Sequence, residues 1–139
     1  MKILFAGDYS GFHATLAREL RGMGHDCVVM GDGSRCMDTA RDIDLSRRAG
    51  LFGSIAYLSD VFRLWPTLRG FDVVQLINPN FLHLRPGKIR YFFRELKRSN
   101  TLTGLSLAGS DPVSVKACME DGIFRYSEFK VGEEKTEYV

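Results

Sequence analysis

Long apolar runs are missing from this chain. No stretch approaches the roughly 20 consecutive apolar residues that a spanning helix needs, and the opening MKILFAGDYS is too short for a signal peptide and reads as a first strand. Proline is scarce, at four residues, and no polar tract repeats, which excludes a collagenous rod, a disordered tail and a low-complexity linker. Cys27, Cys36 and Cys118 are an odd number without CxxC or Cys/His spacing. Such usage fits a reducing, cytoplasmic compartment rather than a disulfide framework or a zinc site, so no metal is expected. Charge of one sign is lacking as well: a net +2 gives no general affinity for nucleic acid. GxGxxG and the P-loop GxxxxGK[ST] are both absent, so neither a dinucleotide nor a nucleoside triphosphate bound by the usual loops is expected, and no cofactor is implied. There is no internal repeat at periods of 20 to 50 residues.

What remains is an ordinary globular composition, 45% hydrophobic and 26% charged over 139 residues, expected to form one domain around one core. KILFAG is an apolar run closed by glycine, after which Phe12, Leu16 and Leu20 recur at helical spacing with Ala17 and Met23 adjoining. Ser10 is a candidate N-cap, and Gly22 and Gly24 lie where that helix should close before the strand Cys27-Val28-Val29-Met30. A strand, an amphipathic helix and a strand within about 30 residues make a βαβ unit, whose parallel strands need cover on both faces. The expected fold is α/β, a Rossmann-like doubly wound parallel sheet in three α/β/α layers.

Residues 32–48 are polar and read as a long excursion, followed by a helix over 55–64 in which Ile55, Leu58, Val61 and Phe62 repeat at three or four. Residues 71–77 form the third expected strand, stopped by Asn78-Pro79-Asn80. Pro86 and Gly87 open a helix whose Ile89, Phe92, Phe93 and Leu96 share a face, and 101–107 return as the fourth strand. A short helix over 113–121 follows, and 123–139 could hold a fifth strand.

Ligands of an open parallel sheet bind at the carboxyl ends of its strands. Three loops qualify: Gly7-Asp8-Tyr9-Ser10-Gly11, Asn78-Pro79-Asn80, and Gly109-Ser110-Asp111. The first precedes a helix whose N–H groups and positive dipole end favour a phosphate or carboxylate, although Gly7 and Gly11 serve equally well in a tight turn. His13, in that helix's first turn, is a general-base candidate if it faces the crevice, and a solvent-facing or capping residue otherwise. Asp111 is the second catalytic candidate, against the alternative that Asp before Pro initiates a turn. Arg85, Lys88, Arg90, Arg94, Lys97 and Arg98, with Glu95 alone opposing them, could lay their helix on anionic lipid. The commoner outcome packs the phenylalanine face on the sheet and leaves the cations solvated. Met23, Met30, Trp65 and the other aromatics are read as core.

MKILFAGDYSGFHATLARELRGMGHDCVVM resembles the opening of the N-terminal domain of glycosyltransferases with two Rossmann domains (GT-B), especially the group numbered family four. FDVVQLINPNFLHLRPGKIRYFFRELKRSN with TLTGLSLAGSD resembles the later strand, helix and strand of that domain, so the likeness covers most of residues 1–111. The resemblance implies transfer of a sugar from a nucleotide-sugar donor, held mainly by a second Rossmann domain, to a saccharide or lipid-linked acceptor on this one. It places Gly7, Asp8, Tyr9, Ser10 and Gly11 near donor diphosphate and acceptor. Ala108 stands where the family often carries a histidine.

The chain stops without a second domain, so a fragment inactive alone is expected, working in the cytoplasm or at the inner membrane face. Its uncovered inter-domain rim would favour weak homodimers. The competing class is a non-phosphorylated, receiver-like interaction module, since Lys116 to Gly122 resembles a signalling receiver. Leu76, Ile77 and Asn78, however, stand where a receiver keeps its phosphate-accepting carboxylate.

Overall fold

Five parallel strands form the sheet: β1 (Lys2–Ala6), β2 (Asp26–Gly31), β3 (Ile43–Asp44), β4 (Val73–Leu76) and β5 (Leu102–Leu105). Three helices connect them, α1 (Phe12–Gly22), α2 (Gly50–Leu64) and α3 (Pro86–Ser99), with a 3-10 turn at Trp65–Leu68 after α2. The computed structural model describes residues 1–33, 38–106 and Lys116. The chain divides into two units, Met1–Ser106 and Leu107–Val139, and the sheet belongs to the first. The helix expected over 113–121 and the strand over 123–139 lie outside the described residues, Lys116 apart.

The spatial order is β3-β2-β1-β4-β5. This is the Rossmann order, in which the chain leaves β1 toward one edge, returns, and proceeds from β4 toward the other. β1 and β4 are therefore neighbours from opposite windings, and the crevice at their carboxyl ends is the switch point where such sheets take ligands. A signalling receiver has the order 2-1-3-4-5, with nothing outside its second strand.

β1 is buried along Ile3, Leu4, Phe5 and Ala6, as a central parallel strand must be when both faces are covered. Alternation sends Ile3 and Phe5 to one face, where Cys27, Val29 and Ala17 of α1 join them. Leu4 and Ala6 go to the other, with Met30, Val74 and Leu76, beneath Tyr57 and Val61 of α2 and Ile89, Phe92 and Leu96 of α3. Among the described residues the second core holds sixteen buried side chains and the first five. At about 1.5–3 kcal/mol for each large apolar side chain buried, the α2/α3 face carries most of the hydrophobic stabilisation.

Several sequence expectations need correction. The polar excursion contains β3, a two-residue edge strand that composition does not reveal; Asp42 prepares it, its backbone N–H donating to Val29 O (2.9 Å) while its carboxylate accepts from Val29 N–H (2.7 Å) and from Arg21. α2 begins at Gly50, five residues earlier than expected, and its buried side is Tyr57 and Val61, whereas Ile55 and Phe62 face solvent. A helix apolar nearly all round gives periodicity no means of choosing its buried face. In α1, His13 and Ala17 are buried and Phe12 is exposed; Met23 follows the last turn and is also exposed rather than core. Gly22 and Gly24 do close α1, and α3 buries the expected Ile89, Phe92 and Leu96. Met30 and Trp65 are buried in the core.

Candidate functional site

The ladders run slightly past the strands. Gly7 N–H donates to Met30 O (2.7 Å), Leu45 N–H to Gly31 O (2.8 Å) and Ile77 N–H to Ala6 O (3.1 Å). Three inter-strand contacts thus continue to the rim, and the loops after β1, β2 and β4 leave the sheet beside one another. Between them lies a cavity of about 300 Å³, at the switch point that the strand order defines. Gly7, Asp8, Tyr9, Asn78 and Asn80, all expected at the site, line it. Ser10 and Gly11 are not among its lining residues. Gly109, Ser110 and Asp111 lie outside the described residues.

The loop after β1 is built to hold its own helix. Gly7 has φ +77°, and a Cβ there would lie 2.6 Å from Ile77 Cγ2, so only glycine fits. Ser10 is not the N-cap; Gly11 is, at φ 77°, without a side-chain cap of its own. Capping comes from farther back: Asp8 Oδ1 accepts the His13 N–H at 2.9 Å. Tyr9 O accepts the Phe12 N–H at 3.1 Å. The place where a bound phosphate would meet the start of α1 is thereby taken by the chain's own carboxylate.

His13 lies beneath this loop and is fully buried, not in the cavity wall. Its Nδ1 stands 2.5 Å from Gly7 O; since a carbonyl can only accept, Nδ1 carries the proton and the neutral ring leaves Nε2 a buried lone pair. Phe5 and Phe12 flank the ring at 4.9 and 5.7 Å. Burial pushes the His13 pKa below its ordinary value, against the opposing pull of the Gly7 carbonyl and the Asp8 charge. His13 therefore supports the loop's backbone from below.

Three site residues escaped the sequence reading. Asp32, Tyr57 and His83 converge on the cavity from the end of β2, from α2 and from the loop before α3. His83 Nε2 stands 2.6 Å from Asp32 Oδ2, and the His83 backbone N–H donates to the Tyr57 hydroxyl at 2.9 Å. Burial raises the Tyr57 pKa, so the phenol stays protonated at neutral pH. Asp32 follows Gly31 at the carboxyl end of a strand, so the strand-end rule applied to β2 would have flagged it. Tyr57 and His83 left no such signal.

Two acceptors in the cavity wall stand out. Asp8 Oδ2 and Asn78 Oδ1 are buried and have no hydrogen-bond partner. Buried acceptors without a donor carry a desolvation cost, and both belong to residues that line the cavity. Among the described residues no group of three His, Cys, Asp or Glu could hold a metal ion, and no helix is long and apolar enough to cross a membrane. The face of α3 that could have entered lipid is in the core, while Lys88, Arg90, Arg94, Lys97 and Arg98 remain exposed. Compared with protein-family models, curated proteins and solved structures, the chain matches none.

Proposed function

We propose that this chain is the acceptor-side domain of a glycosyltransferase with two Rossmann domains, holding a saccharide or lipid-linked acceptor in the cavity at the ends of β1, β2 and β4. One observation carries the reading: the cavity at the carboxyl ends of β1, β2 and β4 is lined by Asp8, Asn78 and Asn80, polar side chains of the kind that accept from sugar hydroxyls. Tyr9 supplies exposed aromatic surface for a sugar ring's apolar face, and Asn80 a further amide. The start of α1 is filled by Asp8, which favours a hydroxylated group over a diphosphate at that point. The donor nucleotide-sugar then rests on a second Rossmann domain, and the reaction needs both halves to position the reactants and exclude water. The exposed cations of α3 suit the cytoplasmic face of an anionic membrane, where this work would be done.

The test is nucleotide-sugar turnover by the native polypeptide, whose extent past Val139 is read by peptide mass spectrometry. We expect a longer polypeptide that releases nucleotide from a UDP- or GDP-sugar in the presence of acceptor, and no turnover by residues 1–139 alone. Turnover by this chain alone overturns the reading, as does a native chain that ends at Val139 and associates with no second Rossmann chain.

A further inference from the structure

A second cavity of about 850 Å³ opens beside the first, between the starts of α2 and α3, and the two share Tyr57, Asn80 and His83 in their walls. Their charges differ in sign. Asp8 and Asp32 line the first; Arg47, Arg85 and Lys88 line the second, which has no Asp or Glu among its lining residues. Arg47 is held in place by its Nη2 donating to Ser54 Oγ at 2.7 Å, while that hydroxyl donates to Gly50 O at 2.9 Å in the first turn of α2. Arg85 is the N-cap residue of α3, and Lys88 lies in its first turn.

This placement runs against helix stability. The start of a helix is the positive end of its dipole and favours acidic residues. Yet α2 and α3 have neither an acidic residue in the first turn nor a side-chain cap, and cations gather at both starts. Two dipole ends without an acidic residue in the first turn, beside three cations around one cavity, are a setting that an anion would stabilise. A phosphate group suits them better than a carboxylate, because it brings a charge near −2 and three strong acceptors.

We infer that the two cavities form one binding site for a phosphorylated saccharide or polyol, with its phosphate among Arg47, Arg85 and Lys88 and its hydroxyls at Asp8 and Asn78. The inference rests on the saccharide reading above and narrows the acceptor to the phosphate-bearing class. That phosphate can belong to a soluble sugar phosphate or to a lipid headgroup.

The experiment titrates the isotope-labelled full chain with glucose 6-phosphate, with glucose and with inorganic phosphate, following backbone amide signals, and repeats this on Arg47→Ala/Lys88→Ala. Glucose 6-phosphate is expected to bind about tenfold more tightly than glucose and to lose about tenfold in the double variant. Shifts should spread across Asn80 to Lys88 and also at Asp8 and Asn78. Sedimentation with phosphatidylglycerol or phosphatidylcholine vesicles distinguishes the sources: capture by the anionic vesicles, relieved by glucose 6-phosphate, assigns the phosphate to a headgroup, and its absence alongside tight glucose 6-phosphate binding assigns it to a soluble compound. Equal affinities for glucose and glucose 6-phosphate overturn the inference but leave the saccharide reading intact. Phosphate binding in the second cavity with no sugar-dependent shift at Asp8 or Asn78 overturns the saccharide reading and, with it, the joint site. Unchanged glucose 6-phosphate affinity in the double variant also overturns the inference.

Discussion

The helix after β1 and the helices after β3 and β4 start at the same rim but end their dipoles in opposite ways. At α1 the chain supplies its own anion: Asp8 accepts from the His13 N–H, and His13 in turn holds Gly7 O from below. At α2 and α3 there is no acidic residue in the first turn and no side-chain cap, and Arg47, Arg85 and Lys88 stand around the opening. The first arrangement is satisfied internally and serves the fold. The second leaves positive potential outward, which helix stability does not require. A crevice can thus be divided between a rigid, self-capped wall and a wall whose charge is left for something else.

The sharpest way to break the comparison is His13→Ala. It leaves a cavity under the loop and removes the donor to Gly7 O, so a loss of about 3 kcal/mol in unfolding free energy is expected from denaturant melts. The pH profile follows from the same residue. Its folded pKa lies below the unfolded value of 6.5, so below about pH 6.5 the unfolded chain binds a proton that the folded chain resists. Stability should be full above that pH and decline as pH falls, levelling off once the folded pKa is passed; in His13→Gln this part of the slope disappears. A persistent slope in that variant would assign it to other groups.

Gly7→Ala tests the same wall through the backbone. The added Cβ meets Ile77 Cγ2 at φ +77°, and a loss of about 2 kcal/mol is expected, again from the denaturation midpoint. Asp8→Ala removes the cap and should cost about 1 kcal/mol. It should also convert α1 into the likeness of its neighbours, so that added sulfate raises the melting temperature of the variant more than that of the parent chain. An equal sulfate response in both would deny that Asp8 occupies an anion's place.

Lys88→Glu gives the smallest shift and the opposite sign. An acidic residue in the first turn of α3 complements the dipole, and stability should rise by about 0.5 kcal/mol. A drop of similar size would mean that Lys88 already serves the fold.

Much of the sheet was legible because its central parallel strands are short, mostly apolar runs, as Ile3 to Ala6 of β1 and Cys27 to Met30 of β2 are. α3 was equally legible, since charge fills every side but one and its periodicity names a single buried face. α2 was not: Leu51, Phe52, Ile55 and Phe62 are exposed although as apolar as the buried Tyr57 and Val61. β3 escaped because two residues carry no period, and its place depends on Arg21 and Asp42 meeting across the β2 edge.

The site divides in the same manner. Asp8 and Asn78 stand beside the ends of strands visible in sequence, and the rule that ligands gather at carboxyl ends found them. Asp32, Tyr57 and His83 are brought together from three separate stretches, and nothing local couples an aspartate to a histidine 51 residues away. The sequence alone determined that this is a parallel α/β sheet and that the loops after β1 and β4 reach its rim, because burial pattern and turn residues are properties of short segments. Tertiary structure decided that His13 faces inward, that Asp32 meets His83, and that three cations share one cavity, because those facts depend on where separate segments come to rest.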